Sequence, residues 1–315
     1  MRAPFPWFGS KRKVADIVWQ HLGDVDNYIE PFAGSMAVLL ERPNHHKKRQ
    51  ETVNDIDAYV SNFWRALKAD PEQVARYASD PINENDLNAR HLWLVSTGKE
   101  RIENINIDPD YYDAKVAGWW VWGLCVWIGS GWCDKAYRQL PHLSGGQGIN
   151  RQLPHLGPRR GINRQRPDIS DRGQGILMYM EQLAARLESV AVCSGDWKRV
   201  CTDGATDYGS TVGVFLDPPY YREGRKAVYN HETDVFDDVL AWCRDHEDNP
   251  RYKIAVCGYN FTLPGWKAHN WSAGPAYQSS NGGGNNAENR HKEVIYFSPS
   301  CVSRNIDMFE VTKGS

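Results

Sequence analysis

The chain has 315 residues, 41% of them hydrophobic, and a formal net charge of −2. That length holds one large α/β domain with a smaller one inserted or appended, and the hydrophobic content supports a sizeable core. The near-neutral charge excludes a uniformly basic nucleic-acid binder, so any such function must rest on local basic patches. Seven scattered cysteines with no Cys-x-x-Cys pair fit a reducing cytoplasm and do not fit structural zinc. No signal peptide opens the chain, and a cytoplasmic location is expected.

In chain order, Pro6-Trp7-Phe8-Gly9-Ser10-Lys11-Arg12-Lys13 precedes an amphipathic helix with Val14, Ile17, Val18 and Leu22 at helical spacing, which Ser10 is placed to cap. Its tryptophan and lysines beside a glycine turn can hold a small anionic ligand, although the residues alone favour plain solvated surface. Tyr28 to Leu40 reads as strand, tight turn and helix. Gly34 permits the close backbone approach of a nucleoside, and the absence of Gly-x-Gly-x-x-Gly disfavours a dinucleotide; a turn packing on itself is the plainer alternative. Val53-Asn54-Asp55 ends a second strand. Asp55 is either an acid for the hydroxyls of a ribose or the cap of the helix that follows, and its spacing from Gly34 favours the ribose.

From Ala58 to about Cys133 the pattern is helical, with Tyr59, Phe63 and Leu67 four apart and further helices over 89–97 and 114–128. Val116 to Cys133 is uncharged for eighteen residues, but four glycines and five tryptophans interrupt it, so a buried helix is expected and not a membrane span. A thirteen-residue repeat follows, its copies opening at Arg138, Arg151 and Arg164. These glycine- and proline-bearing units have too little apolar surface to stack and read as loops. Between Asp134 and Ile176 one lysine and seven arginines (Arg138, Arg151, Arg159, Arg160, Arg164, Arg166 and Arg172) oppose three aspartates, a local excess of +5 suited to phosphate contact. The alternative is a duplicated linker.

A helix over 177–187 and a strand at 190–192 lead to Asp196-Trp197, where a carboxylate beside an indole can hold an adenine ring, or Asp196 can cap a helix. Val212 to Leu216 is continuously apolar, the pattern of a strand covered on both faces. It stops at Asp217-Pro218-Pro219-Tyr220. The prolines hold Asp217 and Tyr220 at the carboxyl edge of a sheet, where open α/β sheets bind ligands. There the Asp217 carboxylate and the Pro218 carbonyl can each accept one N–H of a flat amino group while Tyr220 stacks on its ring, unless the stretch is only a solvent-facing turn. A helix over 235–244, a strand at 253–256 and an apolar run at 294–297 close the chain, after a glycine-rich loop at 279–286.

Taken together, the segments Trp7 to Lys11, Phe32 to Met36, Asp55, Asp196-Trp197 and Asp217 to Tyr220 resemble, in order, the motifs of the Dam-like, D12-class DNA adenine-N6 methyltransferases. Ser10, Met36 and Trp197 depart from the family pattern, and Trp127 to Trp132 stands where the family often has Phe-Asn-Gly and an arginine. The resemblance implies a Rossmann-like α/β fold with a mostly parallel sheet and an antiparallel edge strand. It implies a catalytic domain of residues 1–57 and 177–315, and a helical target-recognition insertion of residues 58–176. It implies S-adenosylmethionine as cofactor, lined by Trp7, Lys11, Phe32, Gly34, Ser35, Asp55, Asp196 and Trp197, with no metal. Asp217, Pro218, Pro219 and Tyr220 are the implied catalytic residues, and double-stranded DNA is the implied partner, with no membrane and no obligate protein partner. RNA adenine methylation and an inactive DNA-binding module are the alternatives.

Overall fold

The computed structural model describes residues 1–7, 9–45, 49–108, 110–127, 132–133, 175–219, 232–259, 261–271 and 293–301. Seven strands form one sheet: β1 (Asn27–Glu30), β2 (Gln50–Asp55), β3 (Val190–Ser194), β4 (Val212–Leu216), β5 (Tyr252–Tyr259), β6 (Lys267–Trp271) and β7 (Glu293–Phe297). Their spatial order is β3-β2-β1-β4-β5-β7-β6. The five strands from β3 to β5 are mutually parallel, and β7 lies antiparallel to β5 and to the edge strand β6.

β4 is central and buried along its whole length, as its unbroken apolar sequence requires. Side chains alternate between the two faces. Tyr28, Phe215, Ala255 and Cys257 join one core, while Ile29, Val214, Leu216, Ile254 and Val256 join the other. α1 (Ala15–Leu22) and α2 (Ala37–Leu40) flank β1 and belong to the first core. Between β2 and β3 run α3 (Ala58–Ala69), α4 (Pro71–Ala78), α5 (Glu84–Trp93), a π-helical turn (Leu94–Gly98), α6 (Lys99–Ile102), α7 (Ala114–Val126) and α8 (Ile176–Leu187). α3, α4, α7 and α8 pack into the same core as the sheet. α9 (Asp203–Thr206) precedes β4, and α10 (Glu232–His246) covers the second core with Val239 and Cys243.

Helix starts in the 58–126 segment follow directly from sequence. Asp57, Asp70, Asn83 and Asp113 each accept a backbone N–H as N-caps of α3, α4, α5 and α7, contributions of about 1 kcal/mol each. The apolar stretch from Val116 folds as α7, whose Trp120, Val121 and Trp122 are buried. Its glycine at 118 permits the packing, because a Cβ there would lie 2.4 Å from the Cβ of Tyr77 on α4. Among the described residues no helix is long and apolar enough to cross a membrane. The expected cap at the first helix is not formed. A 3-10 turn (Arg12–Val14) leads into α1, and neither start carries a side-chain cap. Ser10 instead meets the Ser35 hydroxyl at 3.5 Å, because Lys11, and not the helix, organises this turn.

Candidate active site

Parallel strands end on one edge of their sheet, so the tips of β1, β2, β3 and β4 bring Glu30, Asp55, Ser194 and Leu216 to the same side. β7 runs the other way and therefore begins on that edge: its first residue, Glu293, stands opposite Tyr259, the last residue of β5. Asp55, Asp217 and Glu293 sit along this rim.

At its centre, β4 hands over to Asp217, with Pro218 buried behind it. The two prolines remove backbone donors and restrict the turn, so the strand cannot continue. Lys11 is only 3% exposed, and its ammonium donates to Gly9 O at 2.8 Å and Asp217 Oδ2 at 2.7 Å, while Glu293 Oε1 lies 3.0 Å away. The left-handed backbone of Gly9, at φ +77°, lets the chain curl so that Lys11 can reach its carbonyl. Glu293 also accepts a hydrogen bond from the Tyr259 hydroxyl at 3.2 Å, and the Trp271 ring lies beneath the ammonium at 5.8 Å. Burial alone would lower the Lys11 pKa, but Asp217 foremost, then Cys257 and Glu293, outweigh it and hold the ammonium above the usual lysine range. The sequence expectation put Lys11 among the cofactor residues; the structure sets its charged end on the acid that the same expectation named as catalytic.

The β1 and β2 tips are joined by backbone donors. Gly34 N donates to Asp55 Oδ2 at 2.8 Å and Asp57 N to Asp55 Oδ1 at 2.9 Å, while Asp57 caps α3 through Tyr59 N. Asp55 is thus not the cap of that helix. Burial, with the charge of Asp57 adding, raises its pKa to about 6, and the backbone donors oppose the rise. Gly34 sits at φ +45°, and a Cβ there would come within 2.4 Å of Trp7 Nε1. The room that a missing side chain leaves at Gly34 is therefore taken by Trp7, and Trp64 Nε1 donates to the Gly34 carbonyl at 3.1 Å. Ser35 is buried next to it. Glu30, which sequence reasoning passed over, is buried with Oε2 accepting from the Tyr28 hydroxyl and from Leu39 N. Burial raises its pKa to about 8.

At the β3 tip Asp196 accepts from Lys198 N at 2.8 Å and so caps a 3-10 turn (Trp197–Val200), the plainer of its two expected roles. Trp197 is buried, its ring 5.9 Å from that of Phe32, and the two rings bring the β1 and β3 tips together. Asn54 ties the same tips by donating to Pro31 O and Gly195 O. Tyr220 and the seven arginines of the repeat lie outside the described residues, as does the glycine-rich loop at 279–286. Among the described residues no group of three or more His, Cys, Asp or Glu side chains is arranged to hold a metal. Glu293 and Tyr259 left no signal in the sequence, since a lone Glu before an apolar run and a lone Tyr after one are ordinary.

A mostly parallel seven-stranded sheet with an antiparallel pair at one end, helices on both faces and acids along its carboxyl rim defines a Rossmann-like methyltransferase fold. Residues 7–117 match the family described as D12 class N6 adenine-specific DNA methyltransferase. The match supports a Dam-like adenine methyltransferase, and it spans the Trp7–Lys11 segment, the Phe32–Met36 turn and Asp55. No curated protein matches the chain. The family supports methyl transfer to adenine in DNA and implies S-adenosylmethionine as the methyl donor. The Asp55 carboxylate at the β2 tip, with the Phe32 and Trp197 rings on the two flanking tips, is the set of groups the structure offers such a molecule.

Proposed function

We propose that the chain methylates the N6 amino group of adenine at a specific sequence in double-stranded DNA, acting on a base flipped out of the duplex. In this reading Asp55 would accept the ribose hydroxyls of S-adenosylmethionine. Trp7, Phe32, Gly34, Ser35, Asp196 and Trp197 would line the rest of its site, and Lys11 belongs with the reacting centre. Bound S-adenosylmethionine supplies an electrophilic methyl group on a sulfonium. Asp217 and the Pro218 carbonyl each accept one N–H of the target amine, which localises the nitrogen lone pair and aims it, while Tyr220 stacks on the flipped base. The N6–C bond forms as the S–C bond breaks, and the nitrogen then loses one proton.

We assign residues 1–57 and 177–315 to catalysis and 58–176 to target recognition, with Arg138, Arg151, Arg159, Arg160, Arg164, Arg166 and Arg172 on the DNA. The observation that carries the reading is the Asp217 carboxylate held at the carboxyl edge of β4 by a buried ammonium, within a chain whose first third matches an adenine methyltransferase family. Incubation with radiolabelled S-adenosylmethionine and duplex DNA, RNA or neither tests it. Label recovered as N6-methyladenine in duplex DNA supports the proposal. Label confined to RNA, or none in any arm, contradicts it.

A further inference from the structure

We infer that Glu293 is a positioning residue for methyl transfer, acting through Lys11 to keep the negative charge of Asp217 effective at the target amine. The inference rests on the reading just given and deepens it. In methyl transfer from a sulfonium to a neutral amine, positive charge moves onto the nitrogen, so a carboxylate accepting its N–H stabilises the transition state, and a cation paired with that carboxylate weakens the effect. Lys11 lies 2.7 Å from Asp217 Oδ2, and that ion pair alone is net neutral. Its ammonium, one step further from the amine than the carboxylate, would offset part of the stabilisation that Asp217 supplies. Glu293 Oε1, 3.0 Å from the same ammonium, adds a second negative charge that offsets it. Lys11 and Glu293 are both about 3% exposed while Asp217 is 19% exposed, so the compensation takes place in the low-dielectric interior and the acid alone opens outwards.

Topology explains how a residue 76 positions further along the chain from Asp217 comes to stand there (293 − 217). β7 is inserted antiparallel between β5 and β6, so its first residue, not its last, occupies the carboxyl rim. Tyr259, paired with Glu293 across β5 and β7, donates to Oε2 and leaves Oε1 turned to Lys11. A carboxylate held in this way on a strand, and not on a loop, keeps a fixed distance from the ammonium.

The test is single-turnover methyl transfer from labelled S-adenosylmethionine to duplex DNA that lacks N6-methyladenine, comparing the parent protein with Glu293→Gln and Glu293→Asp. Glutamine preserves an acceptor for Lys11 but removes the charge. The rate is expected to fall about ten- to a hundredfold with cofactor Kd by calorimetry within about twofold of the parent. Aspartate restores the charge and should recover part of the loss. A Glu293→Gln rate within about threefold of the parent, or a loss confined to cofactor affinity, overturns the inference. Should that variant fail to fold, Lys11→Gln/Glu293→Gln, which removes one charge of each sign and so leaves the net charge unchanged, replaces it. A rate above about a tenth of the parent's then supports the inference and a lower one overturns it. A parent protein that transfers no methyl group to adenine overturns the reading beneath the inference and the inference with it, whereas a competent parent and an unimpaired Glu293→Gln overturn the inference alone.

Discussion

The two halves of the sheet's carboxyl rim hold their acids by different means. Under β4 and β7, Asp217 and Glu293 face one buried ammonium, a contact made between side chains 206 positions apart in the case of Asp217. At β2 and β3, Asp55 and Asp196 are held by backbone N–H groups from residues close by or in the adjacent turn. A charged partner fixes position through an ion pair, and removing either member leaves the other charge uncompensated. Backbone donors fix position and favour the ionised form, but burial outweighs them and raises the Asp55 pKa to about 6. Under the proposed function the first arrangement serves the acid that accepts from the target amine, and the second the acid that binds a neutral diol.

The largest expected effect comes from removing the charged partner. Lys11→Met leaves the buried Glu293 and the partly exposed Asp217 without this counter-ion, and the loss in stability should be about 3–5 kcal/mol by urea denaturation at neutral pH. A loss below about 1 kcal/mol would mean that solvent screens the cluster, and the contrast between the two halves would fail. Next comes the backbone side of the comparison. Gly34→Ala forces a Cβ against Trp7 at a positive φ and should cost about 1–3 kcal/mol, with a change in tryptophan fluorescence. Unchanged emission and stability would show that the β1 turn is not packed by Trp7.

The smallest effect concerns titration. Only ionised Asp55 can accept two ribose hydroxyls with full charge, so S-adenosylmethionine affinity should fall about tenfold from pH 7.5 to pH 5, following the ionised fraction of a group with a pKa near 6. Asp55→Asn should flatten that dependence. For stability the sign is reversed. A folded pKa raised above the unfolded value gives a contribution that is full below the ordinary aspartate range and is lost as pH rises through about 6. Calorimetry across that window checks the first statement, and an affinity independent of pH in the parent would remove Asp55 from the ribose.

Much of this division was legible in the residues. The unbroken apolar run of β4 and the glycine-to-acid spacing from Gly34 to Asp55 are local patterns, and both strands stand where periodicity puts them. β6 was not legible. Lys267-Ala268-His269-Asn270-Trp271 is an edge strand largely open to solvent, so nothing in its sequence needs to alternate. The pairing of Lys11 with Asp217 and Glu293 was equally invisible, because it depends on the antiparallel insertion of β7, which no spacing records. Ser10 was misread as a cap because capping statistics see only neighbours, whereas the adjacent Lys11 is tied to Asp217 across the fold. Gly34 was read as room for a ligand; Trp7 fills the same room from an adjacent segment.

The central claim is that Asp217 acts on the target amine and not on the cofactor. Single-turnover transfer to adenine in duplex DNA, measured beside calorimetric S-adenosylmethionine binding for Asp217→Ala, tests it most directly. The account predicts a rate about a hundred- to a thousandfold below the parent with cofactor affinity nearly intact. Near-normal turnover, or a loss of rate matched by an equal loss of cofactor affinity, would contradict it.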